Sequence, residues 1–410
     1  MHVDHLDYLG LSGTADPARA TCIHPARTMQ PAGTQANVVE HRFFAIIAAA
    51  RRTREDLHIK AAPTLFEPPA RPQYAPGDHT PLFACRDSDG RTFEFYSAVT
   101  GAPTVLLFTG GQNLADMTSG GLDPAVLGAG GALVATLVPG DTTVAAAQKE
   151  AAGWPHRVMA DPGSEITNGF AGLSGIAAPA IYVLDPNQRL IGVRGLGGGA
   201  AGLDGWLADM LIQARHGRDQ AVVQRAAPAL LVPRALEPED CAWLIGLWHN
   251  GPRDDGTVAV GSSAGGGVQV VPTTKRREDY YLRDKTLEQK LLDRLMPRLV
   301  PEVSKAFHFE GYTVETFKIG CYKAEKAGFF TVHRDDTSPA TKHRKFAVTL
   351  NLNTDEYEGG DLRFPEYGPE LYRPEKGAAV VFSCSLLHEV LPVTKGHRFV
   401  ALTFLNVPVQ

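Results

Sequence analysis

Two histidines and one aspartate in the last quarter of the chain have the types and spacing that bind a transition metal. His333 and Asp335 are separated by one residue in Thr-Val-His-Arg-Asp-Asp, and His388 lies in Ser-Leu-Leu-His-Glu-Val. Alternate side chains of a strand point the same way, so His333 and Asp335 should face one cavity while Arg334 and Asp336 point away. Two imidazoles and one carboxylate form the donor set of a non-haem Fe(II) site, which leaves about three coordination positions open.

The third donor and a nearby cation require further strands. The buried apolar run 378–383 predicts a strand that leads to His388. Arg398 lies ten residues after His388, at the root of the predicted strand 399–405. A guanidinium at that point could bind the far carboxylate of a dicarboxylate cosubstrate in bidentate fashion. Thr349 and Asn351, on the predicted strand 344–352, could face the same cavity.

These residues belong to a longer series of sequence blocks. The blocks are Tyr322 to Asp335, Asn351 to Asn353, Tyr357 to Leu362, Lys376 to Phe382, Leu387-His388, Pro392-Val393 and Gly396 to Arg398. In order and spacing, over residues 228–410, they resemble the 2-oxoglutarate- and Fe(II)-dependent dioxygenases of the prolyl 4-hydroxylase type. The resemblance implies a double-stranded β-helix, a jelly-roll or cupin-like fold.

The same resemblance implies a role for each residue of the site. His333, Asp335 and His388 would bind iron, Arg398 would bind the distal carboxylate of 2-oxoglutarate, and Tyr322 would donate a hydrogen bond to that cosubstrate. The first four are the expected catalytic residues. The run from Tyr322 to His333 is about two residues longer than is usual in the family. Because Asp335 is a carboxylate, hydroxylation is favoured over halogenation.

The implied reaction needs Fe(II), 2-oxoglutarate and dioxygen, with ascorbate as a reductant in vitro. Oxidative decarboxylation would release succinate and CO2 while a C–H bond is hydroxylated. A peptidyl residue, an amino acid and a small natural product all fit as substrates, and fold does not choose among them. In the mixed-sign run 275–284, Arg276, Tyr280 or Arg283 could contact the substrate.

Upstream, strand patterns alternate with helix patterns, which is typical of an α/β layered domain. Residues 71–217 resemble the peroxiredoxin branch of the thioredoxin fold. The likeness rests on Ala75-Pro76-Gly77-Asp78 and on Ala178-Pro179-Ala180-Ile181, where it implies a cis Pro179. The segment 109–116, where a peroxiredoxin has its reactive cysteine, contains none, and Cys85 lies too early. We therefore expect a redox-inactive domain that serves packing, dimerisation or partner binding.

Two other functions depend on this domain. A thiol peroxidase is disfavoured by the missing cysteine. A non-catalytic binding protein is disfavoured because His333, Asp335, His388 and Arg398 are all present. Separate tests apply to the two, since the first predicts peroxide turnover without iron and the second predicts no turnover.

Composition bounds the remaining possibilities. The chain has 410 residues, 44% of them hydrophobic, and a formal net charge of −5. Neither a nucleic-acid partner nor a membrane span is expected. The five scattered cysteines indicate reduced thiols in the cytoplasm, and the N-terminus has no apolar signal segment.

We therefore predict an α+β multidomain chain. An extension over 1–70, helical near 38–54 or disordered, precedes the thioredoxin-like domain at 71–217, a linker at 218–227 and the oxygenase domain at 228–410.

Overall fold

The computed structural model describes most of the chain after its N-terminal extension. The described residues are 67–68, 74–98, 101–215, 222–256, 258–260, 267–269 and 271–407. The helix predicted near 38–54 lies outside them. Residues 65–410 form one compact unit. No helix in the described ranges has the length and apolar character that crossing a bilayer requires.

The first sheet is built from short runs of apolar residues. Its strands are β1 (Ala84–Asp87), β2 (Thr92–Glu94), β3 (Thr104–Phe108), β4 (Leu133–Pro139), β5 (Arg157–Asp161), β6 (Ala180–Leu184) and β7 (Leu190–Gly195), in the sheet order β2-β1-β5-β4-β3-β6-β7. Strands β3, β4 and β5 are parallel, whereas β6 runs antiparallel to β3. Every residue of β3 and β6 is buried, as expected of strands that are covered on both faces.

Helices cover both faces of this sheet. They are α1 (Phe95–Ala98), α2 (Leu114–Ser119), α3 (Pro124–Leu127), α4 (Thr142–Ala152), α5 (Glu165–Ser174) and α6 (Leu203–Ala214). Val105 and Leu107 of β3 pack in one apolar cluster, and the alternate residues Leu106 and Phe108 pack in the other. The predicted thioredoxin-like α/β domain is confirmed, and the peptide bond before Pro179 is cis.

The second half contains two facing sheets. The larger has the order β8-β20-β16-β22-β14-β12-β9, in which β22 also pairs with β13 and β17, and the smaller has the order β15-β21-β18-β19. Their strands are β8 (Ala229–Val232), β9 (Asp254–Asp255), β12 (Glu278–Tyr281), β13 (Thr313–Val314), β14 (Lys318–Lys323), β15 (Phe330–His333), β16 (Arg344–Asn351), β17 (Tyr357–Gly359), β18 (Leu362–Arg363), β19 (Leu371–Tyr372), β20 (Ala379–Ser383), β21 (His388–Val390) and β22 (Val393–Asn406). A separate hairpin joins β10 (Val258–Val260) to β11 (Gly267–Gln269).

Alternation along the strands divides the larger sheet into two faces. Val348 and Leu350 of β16 pack outward against α7 (Pro238–Asn250) and α8 (Lys285–Phe307). Ala347 belongs instead to the cluster that fills the space between the two sheets. This interior cluster also contains Tyr322 and Phe382. The predicted double-stranded β-helix is confirmed, and its interior is where a site can form.

A set of buried charges joins the two halves, and we call it the seam. Arg298 of α8 is 1% exposed and donates from Nε to Asp78 Oδ1 at 2.6 Å and from Nη2 to Glu237 Oε1 at 2.9 Å. Arg189, also 1% exposed, donates to the carbonyl oxygens of Gly77 and Pro233. Both arginines therefore contact the thioredoxin-like half and the oxygenase half together.

Arg298→Ala should destabilise the whole protein. Removing one partner of a buried ion pair leaves an uncompensated charge, which costs about 3–5 kcal/mol. The measurement is the free energy of unfolding from urea denaturation. Gln289→Ala, on the exposed side of the same helix, is the matched control and should change stability by less than about 0.5 kcal/mol. Equal stability of the two variants would contradict a stabilising seam.

Glu302 of α8 also contacts the thioredoxin-like half, and we count it as part of the seam, whose stability it makes dependent on pH. Burial opposes its ionisation, but His79, with Nε2 3.2 Å from Oε1, and Asn187, which donates at 2.6 Å, lower the pKa of Glu302 to about 2. A lowered carboxylate pKa gives stability that is complete above the unfolded value, near 4.5, and lost as pH falls toward about 2.

The stability advantage of the wild type over Glu302→Gln should therefore shrink on acidification. The expected slope is about 1.4 kcal/mol per pH unit between about pH 4 and pH 2. Denaturation curves of both proteins at several pH values measure it. A difference that does not change with pH would show that Glu302 gains nothing from its ionisation in the folded protein.

Candidate metal centre and the pocket beside it

His333 and His388 lie directly opposite each other on paired strands. Strands β15 and β21 run antiparallel with His333 and His388 in register, and the two ring centroids are 4.2 Å apart. Side chains opposite each other in an antiparallel pair point to the same face. Asp335 follows two residues after His333, and its backbone N–H donates to the carbonyl of Cys384 at 2.9 Å. The sheet pairing thus brings together three residues from two distant parts of the sequence.

The donor atoms of these residues converge. One atom from each of His333, Asp335 and His388 lies within 4.8 Å of the others. Nε2 of His333 is 3.5 Å from Asp335 Oδ1, and Nε2 of His388 is 3.4 Å from Asp335 Oδ2. In each histidine, Nδ1 is within hydrogen-bond distance of a backbone carbonyl, that of Thr331 at 2.7 Å and that of Leu386 at 3.0 Å. A proton held on Nδ1 leaves the Nε2 lone pair directed at the common centre, which is the arrangement of a metal ligand.

The electrostatics favour the form of these groups that binds a metal. Burial lowers the pKa of His388, and the Asp335 carboxylate only partly offsets this effect. Burial opposes ionisation of Asp335, but the two imidazoles hold its pKa below the ordinary value. At neutral pH the centre therefore has a neutral buried imidazole beside an ionised carboxylate. The donor set fits Fe(II).

Aromatic rings enclose the two imidazoles. Phe330 stacks on His333 with centroids 3.6 Å apart, and Phe382 contacts His388 with centroids 4.7 Å apart. Arg334 points away and pairs with Glu366 at 2.6 Å. Fixed rings restrict the positions that the imidazoles can adopt.

Beside this centre, Arg398 is a buried cation for which the described residues supply no counter-charge. It is 3% exposed, and it lies across from Tyr322 on the neighbouring strand with its guanidinium 5.2 Å from the tyrosine ring centroid. Its Nη2 donates to Asn351 Oδ1 at 3.3 Å, while its Nε has no hydrogen-bond partner. No described aspartate or glutamate forms an ion pair with it. A buried, unpaired guanidinium is costly unless an anion pairs with it, so the surroundings of Arg398 fit a carboxylate ligand.

Gly360 leaves the space that the stem of Arg398 occupies. Its φ is +67°, and a Cβ there would lie 3.0 Å from Cδ of Arg398 and 2.8 Å from a methyl carbon of Val393. A side chain at this position would therefore press on the arginine. Backbone and stem together fix the direction in which the guanidinium points.

The substrate contacts proposed for the run 275–284 stay a prediction. Arg276 and Arg283 are exposed, and Tyr280 packs on the outer core. The alternate residues are buried instead, and none of them is more than 9% exposed: Lys275, Arg277 and Asp279. Sequence reasoning missed them because charged residues occupy both faces of this strand. The spacing of two residues between them, which places them on one face of a strand, is the signal that could have identified them.

Comparison with known proteins agrees with this geometry. Residues 317–406 match the family model of the 2OG-Fe(II) oxygenase superfamily. The chain is 26% identical over 168 residues to procollagen-lysine,2-oxoglutarate 5-dioxygenase 2 of Homo sapiens, which covers 39% of this chain and 20% of that protein. It is 26% identical over 150 residues to a PKHD-type hydroxylase of Synechococcus sp. (strain JA-2-3B'a(2-13)), which covers 35% of this chain and 64% of that protein.

A solved structure is also similar to part of this chain. The prolyl-4-hydroxylase of Pseudomonas putida has a TM-score of 0.33 and 16% identity, over 45% of this chain and 94% of that chain. The match to the human lysyl enzyme spans about a fifth of that protein's length. The C-terminal part of this chain contains a 2OG-Fe(II) oxygenase domain, and it is similar to a procollagen-lysine dioxygenase and a PKHD-type hydroxylase.

Proposed function

We propose that this protein is an Fe(II)- and 2-oxoglutarate-dependent hydroxylase. His333, Asp335 and His388 would hold the iron, and Arg398 would bind the distal carboxylate of 2-oxoglutarate. The observation that carries the proposal is a buried guanidinium that no described carboxylate pairs with, in the same interior as three residues that could hold a metal. A dicarboxylate that binds the metal at one end would supply the missing charge at the other.

The residues of the chain would bind the metal and the cosubstrate, hold them in a fixed orientation and exclude water. The triad would hold the metal through three donors, which would leave coordination positions for the cosubstrate and dioxygen. Arg398 offers a planar pair of donors that matches a carboxylate, and Tyr322 supplies a hydroxyl beside it. Iron with 2-oxoglutarate and dioxygen supplies the oxidising chemistry, whose products are a hydroxylated substrate, succinate and CO2. Ascorbate would keep the iron reduced in vitro.

The substrate class follows from the named relatives only as a proposal. The human relative is a dioxygenase that acts on lysine of procollagen. We infer that the first candidate substrate is a C–H bond in a peptidyl residue, followed by an amino acid or a small natural product.

Three other properties stay predictions. They are a cytoplasmic location, dimerisation through the thioredoxin-like half, and the domain boundaries at 70, 217 and 228.

Anaerobic titration tests the function directly. Fe(II) and then 2-oxoglutarate are added to the protein while visible absorbance is recorded. We expect a charge-transfer band that saturates at one equivalent of each. Succinate release is then screened with peptide and amino-acid substrates. A protein that develops no band and releases no succinate would refute the proposal.

The rival thiol peroxidase predicts turnover that we do not expect. Burial raises the pKa of Cys85, Cys241 and Cys321 to about 12, and it also raises the pKa of Cys384. A peroxidase needs a thiolate, which these side chains do not form at neutral pH. Metal-free protein should therefore consume hydrogen peroxide no faster with a thiol reductant than its Cys85→Ser variant does. Faster consumption by the wild type would support a thiol peroxidase function instead.

A further inference from the structure

A buried ion pair stands behind Tyr322. Arg277 is 9% exposed and Asp279 is 1% exposed. Nε of Arg277 donates to Oδ1 of Asp279 at 2.5 Å, and Nη2 donates to Oδ2 at 2.9 Å. Two parallel hydrogen bonds of this kind fix a guanidinium in one plane. Burial opposes ionisation of Asp279, but Arg277 and Lys275 hold its pKa below the ordinary value, so the pair is charged at neutral pH.

The strand beneath the pair is shaped to hold it. Gly320 lies opposite Asp279 in the pairing of β12 with β14. A Cβ at this glycine would lie 2.7 Å from Cδ of Arg277 and 3.1 Å from Oδ1 of Asp279. The pair therefore packs directly on the backbone of β14, two residues before Tyr322. Arg277 has little room to take another position.

The remaining arm of Arg277 reaches the tyrosine. Nη1 donates to Oη of Tyr322 at 3.2 Å, and the guanidinium lies 5.5 Å from the ring centroid. Arg398 lies 5.2 Å from the same centroid. Two cations therefore border one buried tyrosine, and among the described residues Arg277 alone donates a hydrogen bond to its hydroxyl.

The direction of this hydrogen bond constrains the hydroxyl. A phenol has one hydrogen to donate, and an oxygen that accepts from a cation must direct its own hydrogen elsewhere. Within the described part of the chain, the bond from Arg277 is the hydrogen bond of the Tyr322 hydroxyl. The hydroxyl is thus left as a donor in an interior that already carries the unpaired charge of Arg398.

We propose that Arg277, held by Asp279, is a positioning residue that commits the Tyr322 hydroxyl to donate to the anionic cosubstrate. The inference rests on the proposed function, because it needs 2-oxoglutarate in the pocket beside Arg398. Arg277 acts through the tyrosine and does not itself contact the ligand. The alternation of buried Arg277 and Asp279 with exposed Arg276 thus serves ligand recognition.

The test is a double-mutant cycle read by 2-oxoglutarate binding. The variants are Arg277→Met, Tyr322→Phe and the double variant, and the dissociation constant is measured by calorimetry on Mn(II)-loaded protein without oxygen. Each single variant should weaken binding about 10- to 100-fold, the effect of losing one hydrogen bond to a charged group. The double variant should bind no more weakly than Tyr322→Phe alone, because Arg277 acts only through that hydroxyl.

Controls separate a positioning role from a structural one. Arg276→Met changes the exposed neighbour and should leave the dissociation constant unchanged. Mn(II) affinity without 2-oxoglutarate should be equal in all variants, since the triad is not altered. Should Arg277→Met lose metal binding, Arg277→Lys and Asp279→Asn replace it. A lysine has no second arm for the tyrosine, so Arg277→Lys should weaken 2-oxoglutarate binding as Arg277→Met does.

The outcomes distinguish this inference from the proposed function. Wild-type protein that binds Mn(II) but no 2-oxoglutarate would overturn both. Wild-type binding with unchanged affinity in Arg277→Met would overturn the positioning role alone. Additive losses in the double variant would also overturn it, because Arg277 would then act independently of the tyrosine.

Discussion

Asp335→Ala should abolish both the visible band with Fe(II) and 2-oxoglutarate and the release of succinate. The loss of a group that merely orients a metal ligand costs about 10- to 100-fold in metal affinity or activity, so the loss of a ligand should cost at least about 100-fold. The expected spectrum is that of the protein with free Fe(II). Anaerobic titration and a coupled succinate assay measure the two effects.

Asp336→Ala is the matched control for this experiment. The Asp336 carboxylate is one residue away but accepts a hydrogen bond from the hydroxyl of Ser385, away from the metal-binding triad. This variant should keep the band and the activity. His333→Ala should behave like Asp335→Ala. An unchanged band in both His333→Ala and Asp335→Ala would reject the ligand assignment.

Arg398→Leu should have opposite effects on binding and on stability. Loss of one partner of a buried, hydrogen-bonded charge pair costs about 2–5 kcal/mol, so the dissociation constant of 2-oxoglutarate should rise at least about thirtyfold. Without the ligand, however, the substitution removes a buried cation that forms no ion pair with any described residue. The free energy of unfolding of the ligand-free variant should therefore equal or exceed that of the wild type.

Two further variants sharpen this prediction. Arg398→Lys keeps the charge but loses the planar fork, and it should bind 2-oxoglutarate with intermediate affinity. Lys395→Ala removes an exposed cation of the same strand, paired with Glu358 at 2.8 Å, and should change neither property. A ligand-free Arg398→Leu protein that is clearly less stable than wild type would contradict the view that the cation is held for a ligand.

Much of the candidate site could be predicted because it depends on local pattern. The spacing of His333 and Asp335 on a strand places both side chains on one face whatever the rest of the fold. The apolar run before His388 likewise identifies its strand from nearby residues alone. What the sequence could not show is the isolation of Arg398, since a missing counter-charge is a property of the whole interior.

Other features depend on contacts between distant residues. Arg298 is on a helix whose leucines pack in the outer core, but its burial depends on Asp78, 220 residues away in sequence. Arg277 and Asp279 sit in a run of mixed charge that is typical of an exposed face. Their burial follows from the neighbouring strand, where Gly320 gives them space.

The seam has a consequence for how such a chain can evolve. Arg298 requires Asp78 from one half and Glu237 from the other, and Arg189 requires carbonyl groups from both. Exchanging either half by recombination with a homologue that lacks these partners would leave a buried charge unpaired. The two halves are therefore expected to be inherited together, with the thioredoxin-like half kept as a permanent companion of the oxygenase half.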